Sequence, residues 1–590
     1  MKTNKYINIA AGIALALGAS SCSSDYLDLK PEGTLDYEEV LTNAQGATLV
    51  VNELCHSMYK QYSALYDYFW FNGEPWLSMY YGEVVGQDYI SLLWTMADTN
   101  TVNWTSMNLT TANGAQVAWA YCYGLISQAN NLITFTPKKL DADGNPMVNA
   151  EGNEIPDIDG EYAFRYAQAL SIRAHAYTRL MQIYAPRWED RYADDGSEKL
   201  TVPLRLYYQE ATDNLDCPLS PMSKVMDQIY ADLNQAIELF ELSGMSRTYQ
   251  WEPDEQICKG IYARAALVKN DYKTAQQMAH DARQGYDLMT SEEYQAGFAI
   301  PTSEWMWVDS GDASGLYYAS FGATYACNGA YPCLWGNIGA GAISNDLVEA
   351  SSPYDYRTRM FFSPRNVARA NQSKFWTKAC NATTMDINNP TGSLHEAFVT
   401  YAQQQYSRVA SNGWYPPYTY QGNPMGTGTT ICTAQFGAQF KFWGMDGYST
   451  SYFPFMRASE MLLIEAESAY QNGDQSTAYN LLKQLNDKRY AIEYTEQPTG
   501  LALLDAIKLS RRIELWGEGF NWFDFKRWNE PIVRNGWEEN NMTSGNWPKQ
   551  DLGLNNGIFE TDRNRGWRWR IPATEYNYNH AIDQAEANAD

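Results

Sequence analysis

Residues 510–528 read SRRIELWGEGFNWFDFKRW, and this stretch decides the fold of the C-terminal part of the chain. Apolar side chains recur here at the spacing of one helix face: Leu509, Ile513, Trp516 and Phe520. Arg511, Glu514 and Glu518 occupy the neighbouring face, where residues three or four apart form ion pairs. Gly517 and Gly519 weaken the helix just before a second aromatic turn. The pattern predicts a helical segment that other elements must wrap, and we call residues 510–528 the keystone segment.

Two carboxylates on one face, those of Glu514 and Glu518, also suggest catalysis. Glycosidases use a pair of carboxylates, but they place them across a cleft, commonly on separate elements. Arginines next to them in the sequence favour ionised, structural carboxylates over an acid with a raised pKa. The keystone segment is therefore interpreted as structural.

Composition narrows the classes of partner. The chain has 590 residues, 45% of them hydrophobic and 14% aromatic, and a net charge of −26. So much negative charge argues against nucleic acids and anionic membrane surfaces. Neutral ligands remain, and flat aromatic rings suit the C–H faces of neutral sugars, although most aromatic residues must serve the core.

The N-terminus has the pattern of an export signal. Lys2 and Lys5 precede an apolar run, residues 7–17, which is too short to span a bilayer. Small residues then lead to Cys22, as in a bacterial lipobox, although Ala19 stands where leucine is usual. The sequence predicts a lipoprotein signal peptide over residues 1–21 and lipidation of Cys22; an ordinary secretory peptide is the alternative.

Recognisable catalytic and metal-binding motifs are absent from the sequence. The nine cysteines form no CxxC, the five histidines are scattered, and neither a G-x-S-x-G nor a P-loop occurs. We expect no metal, no cofactor and no enzymatic activity. Cys327 and Cys333 could close a small loop or remain free thiols.

Several stretches have helical periodicity: residues 44–66, 119–133, 162–184, 222–242, 457–490 and 501–528. Two of the predicted turns align, Asn270-Asp271 with Gly473-Asp474, and small residues then fall at matching positions on either side. Such spacing lets two helices approach closely, as in tetratricopeptide (TPR) repeats, and predicts dispersed helix hairpins.

Residues 68–104 and 302–452 show little helical periodicity, apart from a predicted strand at residues 304–308. The aromatic residues of the first stretch either dock onto the helical body or contact a ligand. Residues 141–161 also break the helical pattern, and Asp143-Gly144 predicts a hairpin turn.

Five motifs carry a family resemblance. In the keystone segment, R-x-x-E-L-x-x-E-G-x-x-x-x-D-x-x-R-W ends at Trp528. The others are W-x-x-x-Y-x-x-I-x-x-x-N from Trp119, R-A-x-A-Y-x-x-L-x-x-x-Y from Arg173, D-x-R from Asp355 and I-P-x-x-E-x-N from Ile571. Together with the lipobox, they resemble the SusD-like (RagB/SusD) outer-membrane nutrient-binding lipoproteins.

This resemblance implies a mainly α-helical, SusD-like fold with TPR-like hairpins and a large loop-rich region with short strands. It implies one domain over residues 22–590, with a helical body at about 105–300 and 453–590. The ligand-binding region would cover about 68–104 and 301–452. A non-enzymatic, lipid-anchored protein of the outer-membrane surface would capture an oligosaccharide and deliver it to a SusC-like TonB-dependent transporter.

Family members stack glycans on aromatic residues from those two regions. By resemblance, the candidate stacking residues are Trp94, Tyr325 and Trp335, each of which could instead fill the core. Candidate polar partners for sugar hydroxyls are Asp88, Asp98, Asn100 and Asn328.

Three further functions stay open at this stage. The chain could bind peptides within the same family, hydrolyse glycosides, or act as a TPR-like scaffold without a small ligand.

Overall fold

In the computed structural model, the described residues are 37–59, 73–91, 104, 106–148, 154–208, 215–295, 298, 301–309, 341–361, 363, 419–420, 423–424, 439, 441–442, 452–534, 557–559, 567–583 and 588.

The described structure is mainly helical, as predicted. The helices are α1 Tyr37–Val40, α2 Ala44–Tyr59, α3 Gly73–Leu77, α4 Asn113–Phe135, α5 Gly160–Tyr184, α6 Met222–Ser243, α7 Glu255–Val268, α8 Tyr272–Ala282, α9 Ser291–Gln295, α10 Asn345–Ala350, α11 Ala458–Gln471, α12 Gln475–Arg489, α13 Leu501–Glu514, α14 Asn521–Trp528 and α15 Ala573–Tyr578. A π-helical turn, Ser78–Val84, continues α3, and 3-10 turns cover Ser106–Asn108, Trp188–Asp190 and Tyr356–Met360.

The strands are short and pair antiparallel in twos. They are β1 Tyr89–Ser91 with β5 Gly341–Ile343, β2 Leu200–Pro203 with β3 Leu219–Pro221, β4 Trp305–Val308 with β8 Pro454–Arg457, β6 Thr419–Tyr420 with β7 Asn423–Pro424, and β9 Ile532–Arg534 with β10 Gly557–Phe559. The predicted strand at residues 304–308 is confirmed as β4.

Helix α5 lies at the centre of the helical body, because nearly all of its side chains are buried. It packs against α2, α4, α6 and α7. Arg173 ties it to α6 through Asp232, at 2.7 Å, and Arg179 ties it to Glu74 of α3, at 2.7 Å. A buried charge must be paired to be tolerated, so these ion pairs fix which helices surround α5.

The aligned turns are confirmed as two equivalent helix hairpins, α7–α8 and α11–α12. Asp271 and Asp474 cap the second helix of each hairpin by accepting the backbone N–H three residues on, at 3.2 and 3.0 Å. Asn270 and Gly473 adopt positive φ values of 53° and 88° at the turns. The hairpins are far apart in sequence, yet α8 packs against α11, so they stack side by side in space.

One part of the keystone prediction is wrong. Helix α13 ends at Glu514, so Trp516 and Phe520 do not continue its apolar face. Gly517 and Gly519 have φ values of 79° and 90°, which place the backbone in a left-handed conformation that glycine adopts at low cost. The chain turns here and starts again as α14.

The interpretation of residues 68–104 as irregular is also wrong in part, because α3 and the π-helical turn occupy residues 73–84. The described aromatic side chains of this stretch are all buried: Trp76, Tyr80, Tyr81, Tyr89 and Trp104. They dock onto the body, which was one of the two alternatives. A π-helical turn has a different period from an α-helix, so the helical pattern could not reveal it.

The predicted hairpin at Asp143-Gly144 is confirmed: Leu140 pairs with Pro146 across the turn, and Gly144 has a φ of 83°. Among the described helices, none combines the length and the apolar character needed to cross a membrane.

Candidate functional site

Strands β1 and β5 bring together the two regions that the sequence predicts to bind ligand. Ser91, the last residue of β1, pairs with Gly341, the first residue of β5. Because the strands are antiparallel, the chain leaves β1 at the same end at which it enters β5. Trp94 follows Ser91 by three residues, and Trp335 precedes Gly341 by six.

Asp88 joins this ladder to the keystone segment. Its carboxylate accepts hydrogen bonds from Arg512 at 2.6 and 2.7 Å and from the side-chain amide of Asn521 at 2.6 Å. Its backbone carbonyl accepts the indole N–H of Trp516 at 2.9 Å and the backbone N–H of Ser344, beside β5, at 3.0 Å. The keystone segment therefore fixes the start of β1 and the end of β5 together.

The structure gives Asp88 a different role from the predicted one. Its side chain is fully buried, and both carboxylate oxygens are engaged by Arg512. A carboxylate held in this way is not available to sugar hydroxyls, so Asp88 positions the ladder instead. The remaining candidates lie outside the described residues: Cys22, Trp94, Asp98, Asn100, Tyr325, Asn328 and Trp335. The Cys327–Cys333 pair lies outside them as well.

The segment that holds Trp94 is fixed at its other end too. Trp104 is fully buried and donates its indole N–H to the carbonyl of Val85 at 2.9 Å. Its ring lies 6.4 Å from that of Trp522 in α14 and 5.0 Å from that of Trp567. The keystone segment thus contacts both flanks of residues 92–103.

The acidic face of the keystone segment forms a buried charge cluster. Glu514 is paired with three arginines, Arg357 at 3.2 Å, Arg457 at 2.9 Å and Arg489 at 3.0 Å. Burial by itself would raise the pKa of the Glu514 carboxyl, but these three guanidinium groups hold it well below its usual range. Glu514 is therefore ionised and cannot serve as a proton donor near neutral pH.

Glu518 completes the cluster. It accepts hydrogen bonds from Arg457 at 2.7 Å and from Lys441 at 2.6 Å. Burial lowers the pKa of Lys441 to about 8, although Glu518 opposes the shift. The structural interpretation of both carboxylates agrees with this geometry, because each is buried among cations that it neutralises.

Another buried acid, Glu83, lies against the glycine turn of the keystone segment. Its Oε1 accepts the backbone N–H groups of Gly519 at 2.8 Å and Phe520 at 3.1 Å. Burial raises the pKa of Glu83 to about 7, since these two hydrogen bonds offset only part of the cost of burying its charge. A side chain on Gly519 would overlap Ser78 of the π-helical turn, which explains the glycine at this close approach.

Sequence reasoning missed one surface feature. Tyr207 and Tyr578, with 66% and 79% of their surface exposed, flank a cleft whose floor contains Trp119 and Glu575. The sequence does contain a signal for this cleft, because Trp119 and Glu575 belong to two of the motifs quoted above. Their proximity depends on folding across 456 residues of sequence separation.

The chain is similar to known proteins in both sequence and fold. The SusD family model matches residues 266–587. A SusD-like protein, P38, from Formosa agariphila is 21% identical over 559 residues, which cover 90% of this chain and 93% of that protein.

Two crystal structures illustrate the structural similarity. A SusD-like carbohydrate binding protein from Bacteroides vulgatus has a TM-score of 0.64 at 19% identity, covering 93% of this chain and 99% of the other. A SusD superfamily protein from Bacteroides thetaiotaomicron has a TM-score of 0.60 at 18% identity, covering 92% and 99%. Since the family model spans more than half of the 590 residues, the chain belongs to the SusD family.

Proposed function

We propose that this protein is a cell-surface glycan-binding lipoprotein that captures an oligosaccharide and delivers it to a SusC-like TonB-dependent transporter. The observation that carries the proposal is membership of the SusD family, with a similar solved structure that is described as a carbohydrate binding protein. Lipidation at Cys22 would anchor the protein in the outer membrane, on the outer surface of the cell.

The ligand would be held by residues 92–100 and 325–335. In this proposal Trp94, Tyr325 and Trp335 stack against sugar rings, while Asp98, Asn100 and Asn328 bond their hydroxyls. The β1–β5 pairing supports it, because Ser91, directly before the first segment, is paired with Gly341, six positions after the second. Aromatic faces with a few fixed polar groups form the usual pattern of a small-ligand site.

Glycoside hydrolysis is the less favoured function. It needs one carboxyl that is protonated near neutral pH beside another that is ionised. Glu514 and Glu518 do not meet this need, because both are buried and paired with arginine or lysine. This pair gives no support to hydrolysis, and in the proposed function the protein binds its glycan and leaves it intact.

Native affinity electrophoresis of the soluble form, residues 23–590, tests the capture of glycans. We expect retardation in a gel that contains one polysaccharide, and a loss of most of that retardation in Trp335→Ala or Trp94→Ala. Tyr354→Ala is the matched control, since Tyr354 is 47% exposed and lies outside the proposed ligand segments. Reducing ends that accumulate with time would instead establish hydrolysis, and retardation unchanged in both tryptophan variants would refute the proposed site.

Fractionation of cells tests the anchor and the partner. We expect Cys22→Ala to move the protein from the outer membrane to a soluble fraction. The lipidated protein should co-purify with a TonB-dependent transporter from mildly solubilised membranes. Membrane retention of the Cys22→Ala protein would contradict lipidation at this residue.

A further inference from the structure

A cleft separate from the β1–β5 ladder lies between α4, the chain that follows β2, and α15. It encloses about 350 Å³, within the range of roughly 300–1,000 Å³ that is typical of small-molecule sites. Its lining contains aromatic, charged and amide side chains: Trp119, Tyr123, Asn130, Arg205, Tyr207, Glu575, Tyr578 and Asn579.

Glu575 organises the floor of this cleft. Its carboxylate accepts the indole N–H of Trp119 at 3.0 Å, the guanidinium of Arg205 at 3.1 Å and the amide of Asn579 at 2.8 Å. The side chains of Arg205 and Glu575 are still 19% and 13% exposed, so part of each reaches solvent. The floor therefore combines hydrogen-bond donors and acceptors, and the charges of this ion pair sum to zero.

The rim of the cleft carries two exposed rings on anchored backbone. Tyr207 is followed by Tyr208, whose N–H donates to the hydroxyl of Thr134 at 2.9 Å. Tyr578 is followed by Asn579, whose amide donates to the carbonyl of Cys217 at 2.8 Å and accepts its N–H at 3.0 Å. With 66% and 79% exposure, the two rings contribute little to the core, yet their backbone positions are fixed.

We propose that this cleft binds a neutral saccharide unit, as a second contact point for glycan. The C–H face of a sugar ring would stack on Tyr207 or Tyr578, and its hydroxyls would bond the Arg205–Glu575 pair. Balanced charge on the floor and a net charge of −26 on the chain disfavour an anionic ligand. The inference takes its ligand class from the proposed function, but it concerns residues that the proposed primary site does not use.

Fluorine NMR on the soluble form, with 5-fluorotryptophan incorporated, tests the cleft directly. The signal of Trp119 is assigned by its absence in Trp119→Phe. Maltose, cellobiose, mannobiose and xylobiose are then titrated to millimolar concentrations. We expect at least one to shift the Trp119 signal with saturation, and Tyr207→Ala/Tyr578→Ala to weaken that binding at least tenfold. Tyr354→Ala, on a different surface, should leave it unchanged.

Three results would overturn the inference. They are the absence of a shift with all four sugars, a shift that the double substitution leaves unchanged, and a shift with short peptides but not with sugars. Affinity electrophoresis distinguishes a failure of this second site from a failure of the proposed primary site. Retardation lost in Trp335→Ala, with no Trp119 signal change in the wild type, would uphold the proposed function and refute only the second site.

Discussion

The contact between Arg512 and Asp88 should stabilise the β1–β5 ladder and its attachment to the keystone segment. Asp88 is fully buried, and Arg512 is the cation that neutralises it, at 2.6 Å. Removal of one partner of a buried ion pair typically costs about 3–5 kcal/mol, because the other charge is left uncompensated. Asn521 still donates one hydrogen bond to Asp88 in the Arg512→Ala variant, so we expect the lower end, about 3 kcal/mol.

Replacing Asp88 should cost less stability than replacing Arg512. The side chain of Arg512 is 19% exposed, whereas that of Asp88 is 1% exposed. If Asp88→Asn removes the buried charge, Arg512 can regain hydration, and the cost should be about 1.5 kcal/mol, the lower end of the range for a lost hydrogen bond to a charged group. The double variant should therefore cost less than the sum of the two single variants.

Urea unfolding of the soluble form measures these costs. Lys483→Ala serves as the control, because its pair with Asp487 at 2.7 Å is exposed and should contribute little to stability. Affinity electrophoresis of Arg512→Ala, under conditions where it is folded, should show weaker retardation because β1 and β5 are less well held. The reasoning is refuted if Arg512→Ala costs under about 1 kcal/mol, or if Asp88→Asn costs as much as Arg512→Ala.

Three further predictions concern the keystone contacts and the hairpins. Folding raises the pKa of Glu83 from 4.5 to about 7, so the folded protein binds this proton more tightly than the unfolded chain does. The contribution of Glu83 to stability is therefore present below pH 4.5 and is lost as pH rises through 7. In urea titrations, the free energy of unfolding of Glu83→Gln should therefore exceed that of the wild type by about 3 kcal/mol at about pH 8 and by little at about pH 4. An equal difference at both pH values would contradict the raised pKa. Gly519→Ala should abolish stable folding, since φ is 90° and a side chain would overlap the π-helical turn. Gly285→Ala is the control: its φ is 82°, but no atom lies within 4 Å of the added Cβ, so it should cost only about 1 kcal/mol in thermal unfolding. Asp474→Ala should lower the free energy of unfolding by removing the N-cap of α12, and Asp474→Asn, which keeps an acceptor, should lose less than half as much.

Local sequence patterns were sufficient to predict the long helices. The stretch from Trp119 to Ile133 lies within α4, and residues 162–184 lie within α5, because an apolar face of constant period is a property of neighbouring residues alone. The alignment of Asn270-Asp271 with Gly473-Asp474 likewise identified two equivalent hairpins. Their caps and turns use only residues within one turn of the helix end.

The same reasoning failed where distant parts of the chain decide local structure. The apolar pattern of the keystone segment continues past Glu514, but the helix stops there. Packing of the π-helical turn against Gly519 and hydrogen bonds to Glu83 favour a turn instead. Asp88 looked like a polar loop residue, and only its contact with Arg512, 424 residues later, makes it a buried anchor.

The family and the mainly helical class could be predicted from the sequence, because motifs and helical periods are properties of short stretches of chain. The sequence also favoured a structural role for Glu514 and Glu518, and the buried ion pairs agree with that interpretation. Only the tertiary structure decided which charges are buried together, that β1 pairs with β5, and that Trp119 and Glu575 share one cleft. These contacts join residues that are hundreds of positions apart. Their free energy depends on burial and distance, which no local pattern specifies.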